Sequence, residues 1–301
     1  LIPPPFMPLV ATLVSNPRDR LLSRDLAHRA AAAVGASATG WLAENIACDL
    51  ELPAGADAGS AETALRASLA GRPVDVVVQE AATRRKRILL ADMDSTMIEQ
   101  ECIDELAAEV GIKAEVAAIT ARSMNGEIAF EPALRERVAL LAGLDAAVIG
   151  RLIETRITLA AGALELVRTM RAHGAWTALV SGGFEAFTGP IAALIGFQEH
   201  RGNRLLESAG KLSGLVAEPI LGRTAKRDTL VEIAARLALS PADVIAVGDG
   251  ANDLDMIGAA GTGVALHAKP VVAAEARVRI DHGDLTALLY LQGYRRSEFA
   301  T

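Results

Sequence analysis

Ile88-Leu89-Leu90-Ala91-Asp92-Met93-Asp94-Ser95-Thr96 is an apolar run that ends in two carboxylates one residue apart and then two hydroxyls. A run this short, bounded by polar residues, predicts a buried strand of a parallel sheet. Ligands of such sheets collect beyond the carboxyl ends of the strands, so Asp92 and Asp94 emerge where chemistry is usually done. Two later runs have the same form. Residues 175–180 lead into Ser181-Gly182-Gly183, and residues 244–247 lead into Gly248-Asp249-Gly250-Ala251-Asn252-Asp253. Short strands near 262–266 and 277–280 complete an alternating pattern. From residue 86 onward the chain predicts an α/β fold, a doubly wound parallel sheet. Ile103, Leu106, Ala107 and Val110 stand at helical spacing, and no strand signal interrupts 113–160, which places a small helical cap at about 101–160 after the first strand. Residues 198–221, richer in Gly, Asn and Ser, read as a hairpin.

In front of this core the pattern is βαββαβ, the split βαβ order of a ferredoxin-like domain. Strands are expected at 9–15, 38–44, 46–52 and 74–78. Helices are expected from 21 to 35, with Leu22, Leu26, Ala30 and Ala33 as its stripe, and around 61–69. The third strand alternates, with Ile46, Cys48, Leu50 and Leu52 inward and Asp49 and Glu51 outward. The division is therefore 1–82, a linker at 83–87, and 88–301. Arg84-Arg85-Lys86-Arg87 reads as a solvated tether rather than a nucleic-acid patch, because the whole chain carries a net charge of −7.

That charge argues against a nucleic-acid partner and requires any anionic substrate to be met locally by a metal or by basic groups. Half the residues are hydrophobic while aromatics are scarce, the composition of a packed globular protein. No stretch approaches the ~20 apolar residues of a membrane span. The opening 1–8 holds four prolines and no basic region, so it does not read as a signal peptide. Cys48 and Cys102 lack metal-ligand spacing and read as small buried residues, which suits a reducing cytoplasm.

Three strand tips and one lysine, Lys226 at the start of a helix, together make a phosphoryl-transfer constellation. Carboxylates suit Mg²⁺, which takes oxygen ligands. A hydroxyl, free backbone N–H groups and an ammonium suit phosphate oxygens. Taken singly, each element has a bland explanation: Asp-x-Asp is common, Ser-Gly-Gly is usually a turn, and a helix lysine is usually solvated. Their order and placement carry the argument.

Asp-Met-Asp-Ser-Thr, Val-Ser-Gly-Gly, the helix lysine and Gly-Asp-Gly-Ala-Asn-Asp resemble the four motifs of the haloacid dehalogenase superfamily. The resemblance to its phosphoserine phosphatases is closer still. It extends over Asp92 to Glu105, Met124-Asn-Gly-Glu-Ile-Ala-Phe130-Glu, Leu134-Arg-Glu-Arg137 and Gly263-Val-Ala-Leu-His267-Ala-Lys269-Pro270. It implies Mg²⁺-dependent hydrolysis of O-phospho-L-serine, the last step of serine biosynthesis. Asp92 would be nucleophile and metal ligand, with Asp94 the acid and base, its backbone carbonyl also on the metal. Asp249 would be the third ligand, and Asn252 and Asp253 would orient water, metal and phosphate. Ser181, Gly182 and Lys226 would hold the phosphoryl group. From the cap, Glu101 would face the substrate amine and Arg137 its carboxylate, while Met124 and Phe130 close an apolar lid. His267 has no role in this scheme. Two departures are Ala161-Gly162 in place of Pro-Gly, and Pro132 where a glutamine is common.

Two other readings stay open on the residues. One is a phosphatase or phosphotransferase for another small phosphate, such as phosphohomoserine. The other is a phospho-accepting signalling receiver, which Asp94 and the large cap oppose. The N-terminal unit is similar to the ACT domains, which bind amino acids and dimerise. The Asn16-Pro17-Arg18-Asp19-Arg20 loop lacks the glycine common beside their effector, which favours a homodimerising or stabilising module.

Overall fold

A computed structural model describes residues 8–37, 39–124 and 127–300, apart from the Met124 side chain. The opening seven residues lie outside the described residues.

The N-terminal unit runs β1 (Leu9–Ser15), α1 (Arg24–Val34), β2 (Thr39–Ala43), β3 (Ala47–Glu51), α2 (Ala58–Ser68) and β4 (Val74–Glu80). Its antiparallel sheet has the order β2-β3-β1-β4, as the split βαβ pattern requires. Ser23 caps α1 by accepting from the Leu26 N–H, and Gly35 ends it in a left-handed conformation. Asp57 caps α2 by accepting from the Ser60 N–H. The two helices bury Leu26, Ala30 and Leu65 against Leu13, Cys48, Leu50 and Val76. Ala33, expected in the same stripe, is exposed near the end of α1.

The sheet's other face is not solvated. Asp49 is buried there, accepts a 2.8 Å hydrogen bond from Thr12 Oγ1, and pairs with Arg84 at 2.7 Å. The period-two pattern assigned Asp49 to an outer face without revealing that a second unit covers it. Val14, Ala47 and Val77 join the main hydrophobic core instead. The four-cation stretch is solvated only in part: Arg85 and Arg87 are exposed, whereas Arg84 is half-buried. Lys86 is buried, its Nζ donating to the Ala242 carbonyl at 2.8 Å, and the Arg85 guanidinium lies over the Tyr294 ring.

The main sheet contains β5 (Ile88–Ala91), β6 (Trp176–Phe184), β7 (Glu199–Asn203), β10 (Val244–Gly248), β11 (Thr262–Leu266) and β12 (Val278–Ile280). Its order is β12-β11-β10-β5-β6-β7, with every pair parallel. The crossovers are α7 (Ala163–Ala172), α8 (Glu185–Ile195), α9 (Arg223–Arg236), α10 (Leu254–Ala259) and α11 (Pro270–Glu275), and α12 (Ala287–Leu291) lies near the end of the chain. Residues 199–203, expected in a hairpin, form the edge strand. The hairpin itself is β8 (Leu205–Ser208) with β9 (Lys211–Val216). Strand β6 also continues four residues past its expected end, through Ser181-Gly182-Gly183 to Phe184.

After β5 the cap supplies α3 (Cys102–Glu109), α4 (Lys113–Met124), α5 (Phe130–Ala139) and α6 (Val148–Thr155). Strand β9 packs on α5 through Gly214, which has φ 80° and where a Cβ would come within 2.9 Å of Ala142 Cβ. Pro132 falls in the first turn of α5, where a missing N–H costs the helix nothing. Among the described residues no helix is long and apolar enough to cross a membrane.

Candidate active site

Register places the tips. Ala91 of β5 pairs with Val247 of β10 on one side and Leu179 of β6 on the other. Asp92, Asp249 and Ser181 therefore fall within one residue of the same level on three neighbouring strands. The Asp92 N–H donates to the Val247 carbonyl at 3.0 Å, holding the first turn beyond the strand in line.

Asp92, Asp249 and Asp253 are all buried and present carboxylate oxygens within 4.8 Å of one another. Lys226 is fully buried, and its Nζ lies 2.7 Å from Asp92 Oδ1 and 2.7 Å from Asp253 Oδ1. Asp92 Oδ1 also accepts from the Met93 N–H at 2.8 Å, whereas among the described residues no such bond is made to its Oδ2. Burial and the neighbouring Asp253 push Asp92 well above the usual carboxylate range, with Lys226 opposing. Burial and Asp253 raise Asp249 too. Burial works against the Lys226 ammonium, but Asp253 and Asp92 outweigh it and hold the group charged. Three acids against one buried ammonium leave a surplus of negative charge in a dry site. Lys269, half-exposed and 3.7 Å from Asp249 Oδ2, offsets only part of it. An all-oxygen donor set with surplus charge fits a hard divalent cation. Thr96 Oγ1 steadies Asp249 Oδ1 at 3.2 Å, and the Gly250 N–H steadies Asp253 Oδ2 at 3.0 Å.

Asp94 points elsewhere. Its Oδ1 accepts from the Cys102 N–H at the start of α3 (2.8 Å), and its Oδ2 accepts from Ser181 Oγ (3.2 Å). Ser181 Oγ in turn accepts from the Gly183 N–H at 2.8 Å. A Cβ on Gly183 would come within 2.7 Å of Asp94 Oδ2, so glycine is what allows the two to meet. The carboxylate thus lies between the core and the first helix of the cap.

A cavity of about 520 Å³ joins these groups to the cap. Asp92, Asp94, Ser181, Gly182, Asp249 and Asn252 line the core side, and Glu101, Phe130 and Arg137 line the cap side. Glu101 Oε1 accepts from Ser95 Oγ at 2.7 Å, and burial together with Asp94 pushes its carboxyl up to about 7. Arg137, half-buried, donates from Nε to the Ala133 carbonyl and from Nη1 to Thr120 Oγ1, both at 3.2 Å. It forms no ion pair among the described residues. Phe130 sits over the strand tips: a Cβ on Gly182 would come within 3.1 Å of its ring, and one on Gly222 within 3.4 Å. The Met124 side chain lies outside the described residues.

Every other expected site residue is thus gathered around one cavity or directly behind it. Three contributors were missed. Lys269 belonged only to a resembling tail, although the Ala-Lys-Pro after a strand could have flagged it. Thr120, which orients Arg137, had no signal beyond an ordinary helix. Asn203 is buried at the end of β7, where its amide donates to the carbonyls of Gly182 and Leu221 and accepts from the Leu221 N–H. No local pattern marked that edge strand. Cys48 and Cys102 are buried as expected, and exposed His267 hydrogen-bonds through Nε2 to the Gly283 carbonyl.

Residues 89–258 match the haloacid dehalogenase-like hydrolase family. The chain is similar to a phosphoserine phosphatase of Streptomyces coelicolor, 41% identical over 238 residues, 78% of this chain and 58% of that protein. It is 43% identical to a phosphoserine phosphatase of Archaeoglobus fulgidus over 77% of this chain and 68% of that one. The chain therefore spans little more than half the length of the first relative and about two thirds of the second. A solved HAD family hydrolase from Salmonella enterica serovar Typhi superposes with a TM-score of 0.83 at 30% identity, over 95% of this chain and 98% of that one.

Proposed function

Because the chain belongs to the haloacid dehalogenase-like hydrolase family, we propose that it hydrolyses O-phospho-L-serine to L-serine and phosphate, with Mg²⁺ as its cation. The observation that carries this reading is one cavity with two unlike walls. The core wall has the acids for phosphoryl transfer with the Lys226 ammonium directly behind it, and the cap wall has one carboxylate and one guanidinium that makes no ion pair among the described residues. A zwitterionic amino acid needs such a pair, Glu101 for its ammonium and Arg137, bidentate, for its carboxylate. Similarity to phosphoserine phosphatases at about 40% identity supports the same substrate.

Asp92, Asp249 and the backbone carbonyl of Asp94 would hold the cation, with Asp253 close by. The cation supplies charge neutralisation for the acids and for the phosphate oxygens. Lys226 and the Met93 N–H hold Asp92 Oδ1 in place, so that the carboxylate is oriented for attack. Its bond to phosphorus forms as the bond from phosphorus to the serine oxygen breaks. Asp94 delivers a proton to that departing oxygen, since an alkoxide is a poor leaving group. Asp94 then takes a proton from the water that attacks the phosphoryl group, and the Asp92–phosphorus bond breaks to release phosphate. Lys226, Ser181 and the N–H groups around Gly182 stabilise charge on the phosphoryl oxygens in both steps. Asn252 lines the same wall and orients the phosphate, while Asp253 fixes Lys226. Phe130 covers the tips and limits water to the one that reacts.

The test is a substrate panel with Mg²⁺: phosphoserine, phosphothreonine, phosphohomoserine and phosphoglycolate. Phosphoserine should give the highest kcat/KM by at least about 10-fold, the value of one well-placed charged contact. Equal turnover of phosphoglycolate, which has no amine, would remove Glu101 from substrate recognition and with it the assignment.

A further inference from the structure

Asp75 is a buried carboxylate on β4, in the N-terminal unit, that no step above uses. Its partners all belong to the main core. Oδ1 accepts from the N–H groups of Asp281 (2.8 Å) and His282 (3.2 Å), and Oδ2 from His282 (3.2 Å) and Gly283 (2.7 Å). Three successive backbone donors thus form a nest around one acid. Asn16, from the loop that lacks the effector-site glycine, donates to the His282 carbonyl at 2.9 Å. The N-terminal unit therefore grips a single core loop, residues 281–283, from two directions.

That loop leads back to the active site. The Gly283 carbonyl lies 2.7 Å from His267 Nε2. The His267 N–H also donates to the Ile280 carbonyl at 2.8 Å, and the residue holds a left-handed backbone with φ 44°. A non-glycine residue stays in that region only when its surroundings enforce it. Two residues on, the Lys269 N–H donates to the Asp249 carbonyl at 3.2 Å, and its Nζ lies 3.7 Å from Asp249 Oδ2. Asp75 is thus linked to Asp249 by hydrogen bonds through Gly283 to His267, by the chain from His267 through Ala268 to Lys269, and by the Lys269 contacts with Asp249.

We propose that Asp75 is a positioning residue: by fixing loop 281–283 and His267 it sets the placement of Asp249, so that the docked N-terminal unit tunes the site's affinity for its divalent cation. This rests on the cation site proposed above and not on the identity of the substrate. A carboxylate held by several donors and buried between units transmits position because neither side can move without leaving charge or N–H groups unpaired.

The experiment compares the full-length wild type with Asp75→Asn, His267→Ala and their double variant. Mn²⁺ binding is measured directly by electron paramagnetic resonance, and the Mg²⁺ needed for half-maximal hydrolysis of an aryl phosphate is measured alongside. Each single variant should weaken Mn²⁺ binding and raise the Mg²⁺ requirement by about 10-fold, the scale of a lost outer partner. The double variant should be no worse than either single, as expected for links of one series. Leu65→Ala, which loosens the N-terminal core without touching the loop, should lower the melting temperature and leave Mn²⁺ binding unchanged. If Asp75→Asn does not fold, His267→Ala decides by itself. Wild-type Mn²⁺ affinity in His267→Ala, or an equal loss in Leu65→Ala, would overturn the proposal. Failure of phosphoserine in the substrate panel would leave these binding results standing.

Discussion

The two walls of the cavity are built by different rules. On and behind the core wall, Asp92, Asp253 and Lys226 are buried, held at 2.7–3.0 Å by one another and by the backbone N–H groups of Met93 and Gly250. On the cap wall, among the described residues, Glu101 has a single hydroxyl partner and Arg137 makes two 3.2 Å contacts while half-buried. The difference teaches where each kind of precision is needed. Phosphoryl transfer requires charges fixed before the substrate arrives. Recognition of a zwitterion requires charges left unpaired until it does.

The sharpest way to break this division is to remove the proposed nucleophile. Asp92→Asn should cut turnover of phosphoserine and of an aryl phosphate alike by about 10⁴-fold or more, in steady-state assays. Substantial residual hydrolysis would move the chemistry away from β5. Asp94→Asn should cost about 10²–10⁴-fold on phosphoserine, whose leaving oxygen needs a proton. With p-nitrophenyl phosphate, whose leaving group needs none, the same variant should show a burst of nitrophenolate as phosphoryl-Asp92 accumulates. A linear time course would separate Asp94 from the second step.

Cap-side changes should be smaller and selective. In the proposed reading Glu101 faces the amine as an anion, and its carboxyl is pushed up to about 7. Protonation below that value removes the anion, so kcat/KM for phosphoserine should rise with pH up to about 7 and then level. Glu101→Gln should lose about 10-fold and abolish that limb of the profile. A limb that survives the substitution belongs to another group. Thr120→Val removes one 3.2 Å partner of Arg137. It should raise KM for phosphoserine only a few-fold with kcat unchanged, as expected for one modest hydrogen bond.

The same contrast explains what the sequence revealed. The core wall was legible because its residues follow apolar runs, and a parallel register then brings Asp92, Ser181 and Asp249 within one residue of the same level. The split βαβ order of the N-terminal unit was legible from alternation and helix stops such as Gly35. What alternation cannot show is which polar face a second unit covers. Asp49, Asp75, Arg84 and Lys86 all look like surface charges in the chain, yet Asp75 bonds across the two units, Asp49 pairs with Arg84, and Lys86 fastens the connecting segment to the core. The edge strand β7 escaped for a related reason: its Glu-His-Arg-Gly-Asn sequence has no apolar run, since it borders the sheet. Glu101 and Arg137 emerged through resemblance to a family and not through periodicity, because a helix surface charge and a substrate ligand have the same local pattern.

The division of labour rests most heavily on Arg137. Comparing kcat/KM for phosphoserine and for p-nitrophenyl phosphate in Arg137→Ala against wild type tests it directly. The account predicts a loss of about 10²-fold for phosphoserine, the worth of a charged bidentate contact, with the aryl phosphate changed less than threefold. Equal losses on both substrates would contradict it, placing Arg137 in the phosphoryl-transfer machinery or in the fold rather than in the reading of an amino acid.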